Sequence, residues 1–543
     1  SVESGYNSDS LIFELKNACW GHFLETGFNT NTCLLFDTCN NVSNPEMPIL
    51  NSTKSRKHSG SSVLSLDLNN DNVKDIILGD VSFSNLVALT NDNKGVNMNT
   101  SFVSQDTTFP SNTVPVDLFV FPGAFYEDID LDGISDLIVS PNSSNETKNK
   151  ESVWYYRNYG TNSQPIFNLI SKNHFQNDMI ETGRSAHPIL FDYNNDGLLD
   201  LFVANFGYRD IAATNNYVST IHLYENTGTL SNPKFSLITE DFQNISQINI
   251  DKDLFPSFGD LDNDGDYDML LGDYSGYLHY FENSSSSFAS FNLTLTIPQF
   301  TDNNSTAIDV GYAAKPTLFD IDNDGDLDLT IGEENGNLNY YENIGTTSSP
   351  SFRLITDVFG NIDVSEWWTT IGNSIPLYFR DSVGTLNLLV GSEKGDIFLY
   401  DSIENNILGT FNTIDTNLLD YYIGPAACPT IGDLDNDSIV DIIVGNERGG
   451  ITYFKGSKDT SSNSNLIINN TLDNIMLYPN PCKDKINVSG LSSFNYTIYD
   501  VLSNKMLSGY SNGEIYINTL CKGVYILKLE DKDVTYTKSF VSW

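Results

Sequence analysis

Short apolar or alternating runs, separated by polar turns, recur along most of the chain. In the stretch that begins at Pro316, an apolar run at 317–319 precedes an acidic loop, and a second run follows at 327–331. A glycine-containing turn then leads to 338–341, and 350–355 adds a fourth run. Runs of this length, bounded by Gly, Asn and Asp, indicate strands. Each such unit therefore predicts a four-stranded antiparallel sheet.

The same unit occurs seven times, with a period of about 60 residues. The copies begin at Ser65, Tyr126, Leu190, Pro256, Pro316, Ile375 and Ile431. Four strands per repeat are typical of a propeller blade, and such sheets must stack to bury both faces. We therefore predict an all-β fold, a seven-bladed β-propeller with calcium-binding strand-loop-strand motifs. An open β-solenoid is the alternative, although solenoid repeats are usually shorter.

Six of the copies carry an acidic loop between their first two strands. In the loop at 320–328, oxygen-bearing side chains occupy positions 1, 3, 5 and 9, and Gly325 occupies position 6. Calcium prefers six to eight oxygen ligands in adaptable geometry, and glycine permits the sharp turn. Position 7 offers its backbone carbonyl. The spacing predicts one Ca²⁺ per loop.

The predicted ligands fall at equivalent positions in all six loops. They are Asp67, Asn69, Asp71, Val73 and Asp75; Asp128, Asp130, Asp132, Ile134 and Asp136; Asp192, Asn194, Asp196, Leu198 and Asp200; Asp260, Asp262, Asp264, Asp266 and Asp268; Asp320, Asp322, Asp324, Asp326 and Asp328; and Asp433, Asp435, Asp437, Ile439 and Asp441. We expect about six Ca²⁺ ions and none beside Asp381, where the loop has degenerated. Solvated Asp-rich turns are the alternative reading.

Composition narrows the classes of partner. Lys and Arg total 28 against 71 Asp and Glu, for a formal charge of −43, so nucleic acid is not expected to bind. No apolar run reaches the roughly 18 residues of a transmembrane helix. The chain begins at Ser1 without a signal-peptide pattern, so we expect any such peptide to have been removed. Cys33–Cys39 and Cys482–Cys521 are preferred among the open disulfide pairings.

The pattern changes at both ends of the repeat region. Residues 1–60 do not match the repeat, and we expect them to pack on the propeller, which spans 61–457. The polar stretch 458–473 is predicted to be a linker. Short β-like runs in 474–543 predict a small C-terminal β-sandwich.

The repeats resemble the FG-GAP/VCBS class, whose members form integrin-α-like propellers. The resemblance rests on the D.D.DG..D loops and on repeat ends such as Tyr224-Glu225-Asn226-Thr227. It covers about residues 61–457, and this variant is similar to secreted proteins of the Bacteroidetes. The resemblance implies calcium binding in an extracellular setting.

Residues 474–543 resemble the type A C-terminal sorting domain of the type IX (Por) secretion system. The matching pieces are the Tyr478-Pro479-Asn480-Pro481 opening, the Ile498–Val501 strand, the stretch 520–525 and the basic, aromatic end at 538–543. The resemblance implies periplasmic transit, then release or display at the cell surface. It also implies that an outer-membrane translocon or barrel shuttle binds this module. A generic adhesive sandwich is the alternative.

No catalytic motif stands out, since HExxH and the P-loop pattern are absent and the six His residues are scattered. We therefore expect a binding scaffold of adhesin-like type, with a glycan or protein ligand on the propeller face, rather than an enzyme. The alternative is a polysaccharide lyase or hydrolase, which would need further carboxylates converging in one cleft. We expect Trp367 and Trp368 to pack between blades, with a sugar platform as the alternative. We expect His279 to be a packing residue.

Overall fold

The computed structural model forms two compact units, one of residues 1–416 and 423–453, the other of residues 417–422 and 454–543. The described residues are 2–6, 11–14, 23–25, 33–35, 60–95, 101–143, 147–177, 179–210, 213, 216–285, 291–381, 384–419, 421–457, 476–478, 482–489, 491, 493–500, 505–520, 522–531 and 534–542.

The first unit contains seven antiparallel sheets, numbered here in chain order, with strands adjacent in the order given. Sheet 1 is Ser61–Leu66, Asp75–Asp80, Leu86–Asn91 and Phe102–Phe109; sheet 2 is Pro122–Glu127, Asp136–Pro141, Trp154–Asn158 and Phe167–Ser171; sheet 3 is His187–Phe191, Asp200–Ala204, Ile221–Asn226 and Phe235–Thr239; sheet 4 is Phe255–Gly259, Asp268–Gly272, Leu278–Asn283 and Leu293–Ile297. Sheet 5 is Lys315–Phe319, Asp328–Gly332, Leu338–Asn343 and Phe352–Thr356; sheet 6 is Ile375–Arg380, Leu386–Gly391, Ile397–Asp401 and Asn412–Asp415; sheet 7 is Cys428–Gly432, Asp441–Gly445 and Ile451–Phe454.

Smaller elements complete this unit. They are the strands Val2–Tyr6, Leu11–Glu14, Phe23–Glu25, Cys33–Leu35, Tyr208–Arg209 and Tyr217–Val218, and the 3-10 helices Phe242–Gln247 and Phe359–Asn361. Phe23 contacts Phe102 of sheet 1 edge-on at 5.5 Å between ring centroids. The first sixty residues thus contact sheet 1 at this point.

Burial along each sheet shows how the sheets are stacked. The second strand of sheet 5, Asp328–Gly332, is buried along its whole length, whereas the fourth strand, Phe352–Thr356, is mostly exposed or half-buried. An apolar run that is buried on both faces requires a neighbouring sheet on each side. The strand Asp328–Gly332 therefore lies between two sheets, which buries its polar residues Asp328 and Thr330 together with Leu329 and Ile331.

Five sheets are joined by the same backbone contact. The two residues before the first strand of a sheet donate their N–H groups to the carbonyls of the two residues after the second strand of the sheet before it. The donor and acceptor pairs are Leu254–Asn205 and Asp253–Phe206, Ala314–Asp273 and Ala313–Tyr274, Ser374–Glu333 and Asn373–Glu334, Ala427–Ser392 and Ala426–Glu393, and Ala186–Asn446 and Ser185–Glu447. These pairs link sheets 3 to 4, 4 to 5, 5 to 6, 6 to 7, and 7 back to 3.

The all-β propeller fold is confirmed, but the ring holds five sheets rather than the seven predicted. Sheet 7 occupies the edge of sheet 3 that sheet 2 would need in a seven-bladed ring, because Ala186 and Ser185 bond to sheet 7. Sheets 1 and 2 instead pack on each other around a shared core that includes Ile77, Leu137 and Tyr156. Seven repeats do not require seven blades, since ring closure depends on which edges meet.

Glycine allows the close approach of neighbouring sheets. A Cβ atom added to Gly445 would lie 2.0 Å from the carbonyl oxygen of Ala186, and Gly272, Gly332 and Gly391 face equally short distances. Sheet 3 has Ala204 at this position. The seam between sheets 3 and 4 is filled instead by large aromatic side chains, with the rings of Phe191 and Phe258 stacked at 4.9 Å.

The second unit forms two sheets around one core. Their strands are Met476–Tyr478, Lys485–Ser489 and Glu514–Tyr516 in one sheet, and Lys505–Ser511, Phe494–Asp500, Gly523–Asp531 and Val534–Ser542 in the other. Ile486, Phe494, Ile498, Leu527 and Phe540 are fully buried between them. This is the small β-sandwich that the sequence predicts.

The disulfide predictions stay untested. Cys428 is buried at the centre of the ring and Cys482 is buried in the second unit. Each preferred pair has one member outside the described residues, Cys39 in the first and Cys521 in the second.

The close contact between sheets 3 and 7 predicts that a methyl group added at Gly445 destabilises the larger unit. Gly445→Ala places its Cβ against the Ala186 carbonyl, so sheets 3 and 7 must separate. Overpacking of this kind costs about 1–3 kcal/mol, and we expect the melting temperature of the larger unit to fall by about 2–10 °C. Gly450→Ala is the matched control, since nothing lies within 4 Å of its added Cβ. Equal melting temperatures for both variants by calorimetry would contradict five-sheet closure.

Candidate metal sites and the axial pocket

The acidic loops coil around the carboxylate at position 1. In the loop of sheet 2, Asp128 Oδ1 accepts the N–H of Asp132 at 3.1 Å and Oδ2 accepts the N–H of Gly133 at 2.9 Å. In four loops the oxygens of three carboxylates lie within 4.8 Å of one another: Asp128, Asp130 and Asp136; Asp260, Asp262 and Asp264; Asp320, Asp322 and Asp324; Asp433, Asp435 and Asp437. The loops of sheets 1 and 3 have Asn69 and Asn194 at position 3, where an amide oxygen replaces a carboxylate.

Two positions in each loop have left-handed backbone. Position 6 has positive φ throughout, from 100° at Gly325 to 64° at Asn72. Position 4 also has positive φ, for example 61° at Asn323 and 62° at Leu131. Asparagine tolerates this conformation better than most residues. The Asn that recurs at position 4 in five loops was therefore a signal of the turn that sequence reasoning passed over.

The carboxylate at position 9 has a structural role that the sequence reading missed. Asp328 Oδ1 accepts the N–H of Asn343 at 2.9 Å, and Oδ2 accepts the N–H of Ile321 at 3.3 Å and the hydroxyl of Tyr340 at 3.0 Å. It thus ties the loop to the third strand. Asn91, Asn158, Asn226 and Asn283 repeat the Asn343 contact. Among the position-9 residues that the structure describes, only Asp136 also belongs to one of the four clusters of three carboxylates.

Several loop oxygens lack any hydrogen-bond donor among the described residues. They include Asp260 Oδ1, Asp320 Oδ1, Asp326 Oδ1 and both oxygens of Asp266, all of them buried atoms. Burial, with the charges of Asp264, Asp268 and Asp262, raises the pKa of Asp266 to about 7. Orphaned, mutually repelling carboxylate oxygens are what a hard divalent cation would satisfy, so these loops fit Ca²⁺.

In the ring, the candidate metal loops of sheets 3, 4, 5 and 7 all lie at the same end of the inner strands. In sheet 3 the first strand runs from His187 to Phe191, and the acidic loop follows Phe191 directly. His187 pairs with Ala204 at the opposite end, where the contacts between sheets are made. The ring therefore has a metal face and a second face.

A cavity of about 170 Å³ opens on this second face at the ring axis. Its floor includes His187, Lys315 and Ile375, which begin inner strands of three sheets. Asp253 lies between two of them, with its carboxylate 3.6 Å from His187 Nε2 and 3.9 Å from Lys315 Nζ. Burial lowers the pKa of His187, which keeps the imidazole neutral. Each of the five sheets or its preceding loop contributes to the lining.

The mouth of this axial pocket is built by one position in the repeat. The second residue after the second strand is aromatic in sheets 3 and 4 and acidic in sheets 5, 6 and 7: Phe206, Tyr274, Glu334, Glu393 and Glu447. Arg184 pairs with Glu447 at 3.0 Å, and its guanidinium lies 4.2 Å from the Phe206 ring centroid. Asn373 Nδ2 donates to Glu393 Oε2 at 2.5 Å, and burial raises the pKa of Glu393.

The prediction that Trp367 and Trp368 pack between blades is wrong. Trp367 is 90% exposed and Trp368 is 61% exposed, with the rings edge-on at 5.2 Å. They lie in the loop before sheet 6, which also supplies Ile371 and Asn373 to the axial pocket. A neighbouring cleft of about 780 Å³ is lined by Ser365, Thr369 and Thr370 of the same loop. His279 is buried beside Asp273, at 3.0 Å, as expected of a packing residue.

One G-x-S-x-G string, at 509–513, was passed over in the sequence. A nucleophile elbow needs this serine on a strand-to-helix turn. Ser511 instead ends the strand Lys505–Ser511, and its hydroxyl donates to the Glu514 carbonyl within a tight turn to the strand Glu514–Tyr516. This string is therefore a turn that connects strands of the two sheets and not a catalytic motif.

Comparisons with known proteins identify two regions. Residues 128–203 match the FG-GAP-like repeat family, and residues 476–542 match the secretion system C-terminal sorting domain family. No curated protein matches the chain.

Several solved structures are similar at low identity. The extracellular domain of a hybrid two component system from B. thetaiotaomicron is 10% identical, with 89% of this chain and 55% of that chain covered, at a TM-score of 0.25. The BP39L lectin from Burkholderia pseudomallei is 12% identical, with 75% and 97% covered, at a TM-score of 0.27. The Dos1 propeller is 10% identical, with 72% and 77% covered, at 0.23. The chain thus spans about half the length of the first of these structures.

Residues 128–203 thus contain an FG-GAP-like repeat and residues 476–542 a C-terminal sorting domain, the two resemblances that the sequence predicted. This sorting domain indicates handling by the secretion machinery and export to the cell surface or extracellular space. None of the helices among the described residues is long and apolar enough to cross a membrane.

Removing one loop carboxylate should remove one ion. Asp324 is one of three clustered carboxylates, so Asp324→Ala should lower bound calcium by about one equivalent and lower the melting temperature of the larger unit. Atomic absorption on the dialysed protein measures the first effect and calorimetry the second. Asp381→Ala, in the degenerate loop, is the control and should change neither. A calcium content that is the same in both variants would contradict binding at 320–328.

The raised pKa values predict opposite pH dependence with and without calcium. Without calcium, Asp266 and Asp328 have pKa values of about 7 in the folded chain against 3.8 ordinarily, so the folded state binds more protons. Their contribution to stability is present below pH 4 and is lost as pH rises towards 7. In EDTA, the melting temperature of the larger unit should therefore fall between pH 5 and pH 8.

With saturating calcium the sign reverses, because protons compete with the ion for the same oxygens. The melting temperature should then fall as pH drops from 8 to 5. Asp266→Asn should reduce the slope measured in EDTA. Parallel slopes in EDTA and calcium would contradict ion binding at these carboxylates.

Proposed function

We propose that this protein is a calcium-stabilised extracellular binding protein of adhesin-like type, exported as cargo of the type IX system. The observation that carries the proposal is the division of the ring into two faces. Carboxylate loops that fit Ca²⁺ lie at one end of the inner strands, and a lined axial pocket lies at the other. Each ion would join the first two strands of a sheet, so that binding contributes to folding free energy.

Recognition would fall to the second face. Loops held by a rigid scaffold commonly carry binding residues, and exposed aromatic side chains there are available to a partner. Trp367 and Trp368 bury little of their apolar surface within the protein, so a ligand that covered them would gain that surface for binding. The repeat type and sorting domain are compatible with a Bacteroidetes origin.

A polysaccharide-active enzyme is the second candidate, and the acidic mouth of the axial pocket is what favours it. A glycosidase needs two carboxylates, one of them available as an acid. Here Asp253 lies beside Lys315, and Glu447 is paired with Arg184. These pairings occupy two of the four carboxylates of the lining and leave Glu334 and Glu393 as the pair that such an enzyme would use. Incubating the calcium-loaded protein with polysaccharides and following chain length would separate the two functions.

The C-terminal module is proposed to serve export alone. Deleting 474–543 in the native host should deplete the protein from the surface and medium and leave it in the periplasm, because the machinery would no longer bind it. Immunoblots of fractionated cells measure this distribution. A chain carrying Tyr510→Ala, an exposed position in the same module, is the control for accessibility and expression. Normal surface display of the truncated chain would contradict the address role.

A further inference from the structure

We propose that the axial pocket binds one sugar ring of a neutral glycan, whose following units extend across Trp367 and Trp368 into the adjoining cleft. This proposal rests on the proposed binding function and names the class of ligand. It is argued from the walls of the pocket, the balance of charge within it and the loop that contributes residues to both cavities.

The wall of the pocket combines aromatic side chains with planar polar groups. Phe206 and Tyr274 are two of the five residues that form the mouth. Tyr312 is 56% exposed, and its ring centroid lies 5.7 Å from that of Tyr274. A sugar ring has apolar C–H faces and a rim of hydroxyl groups. Aromatic faces suit the first, and carboxylates and amides such as Glu393 and Asn373 suit the second, since each can accept or donate several hydrogen bonds.

The charges in the pocket exclude an anionic sugar. Arg184 and Lys315 each lie beside a carboxylate, Glu447 and Asp253 respectively. Glu334 and Glu393 remain without a cation at ion-pair distance among the described residues. The lining thus carries more carboxylates than cations, and a uronate or sulfate group would be repelled. The strongly acidic chain as a whole adds to that repulsion.

The size of the pocket and the loop beside it indicate an extended ligand. A volume of about 170 Å³ corresponds to roughly six water molecules, which suits a single ring. The loop that carries both tryptophans contributes to this pocket on one side and to the 780 Å³ cleft on the other. Asn335, Asn337 and Asn361 line that cleft and offer amide groups for further hydroxyls.

The floor shows that the pocket is a built feature of the fold. Lys315 and His187 are each 3% exposed, and Asp253 is 8% exposed. Burying charged groups is costly unless they are paired, and here the Asp253 carboxylate lies beside Lys315 on one side and the neutral His187 on the other. Lys315 Nζ also donates to the carbonyl of Ala313 at 3.2 Å. A fixed polar floor of this kind offers directional groups to a ligand that enters along the axis.

The test uses the full chain with saturating calcium on an array of neutral oligosaccharides (gluco-, manno- and xylo-hexaoses) and polygalacturonate, beside a protein array. Calorimetric titration with the strongest neutral hexaose then compares three variants. Glu393→Ala and the double variant Trp367→Ala/Trp368→Ala should each weaken binding about tenfold, since the first removes a hydrogen-bonding group and the second a stacking surface. Tyr510→Ala, an exposed aromatic residue of the second unit, should change affinity less than twofold. Circular dichroism and calcium content verify folding of each variant.

The outcomes separate this inference from the proposed function. Preference for polygalacturonate, or neutral-glycan affinity unchanged in both pocket variants, would overturn the inference. Capture of proteins with no oligosaccharide bound would also overturn it and leave the binding function standing. Shortening of the hexaose during the titration would show hydrolysis and would overturn the proposed binding function. If the pocket variants then also lost affinity for the hexaose, the inference that a neutral sugar occupies the axial pocket would still be supported. If neither array showed binding, both the inference and the proposed binding function would be overturned.

Discussion

The ring depends on one backbone contact made five times. Each sheet begins where the two residues before its first strand donate hydrogen bonds to carbonyls of the preceding sheet. Buried backbone groups must be paired, so each sheet completes the hydrogen bonding of its neighbour. The contact requires close approach, and Gly272, Gly332, Gly391 and Gly445 permit it. Because the fifth contact returns to Ala186, the number of sheets in the ring is fixed at the point where the last edge meets the first.

The sequence alone predicted much of this architecture. The strand pattern, the repeat, the acidic loops and the C-terminal sandwich follow from local composition, because turns and strands depend on residues close in the chain. Blade number did not follow, since it depends on which edges meet across long separations. Sheets 1 and 2 have the same local pattern as the ring sheets, yet they pair with each other around Trp154 and Tyr156. Nothing in the repeat itself distinguishes them.

Of the two candidate sites, the sequence predicted the acidic loops but not the axial pocket. The loop carboxylates could be read from their spacing, because all the ligands of one loop fall within nine residues. The axial pocket could not, because Phe206, Tyr274 and Glu393 come from three repeats and meet only when the ring closes. Trp367 and Trp368 were misread for a related reason, since large aromatic residues are usually buried and only the fold shows which face they occupy. A comparison of the residue two positions after each second strand would have been a clue.

The two ends of the inner strands have different tolerance for change. A substitution in an acidic loop alters a candidate ion site and the fold together, whereas a substitution at the mouth, such as Glu334 or Glu393, alters only a surface that the ring already supports. Duplication of such a unit yields several sites whose stability is conserved and whose specificity is free to diverge. The mouth of the axial pocket has aromatic residues on one side and carboxylates on the other, as expected if the repeats diverged at this position after duplication.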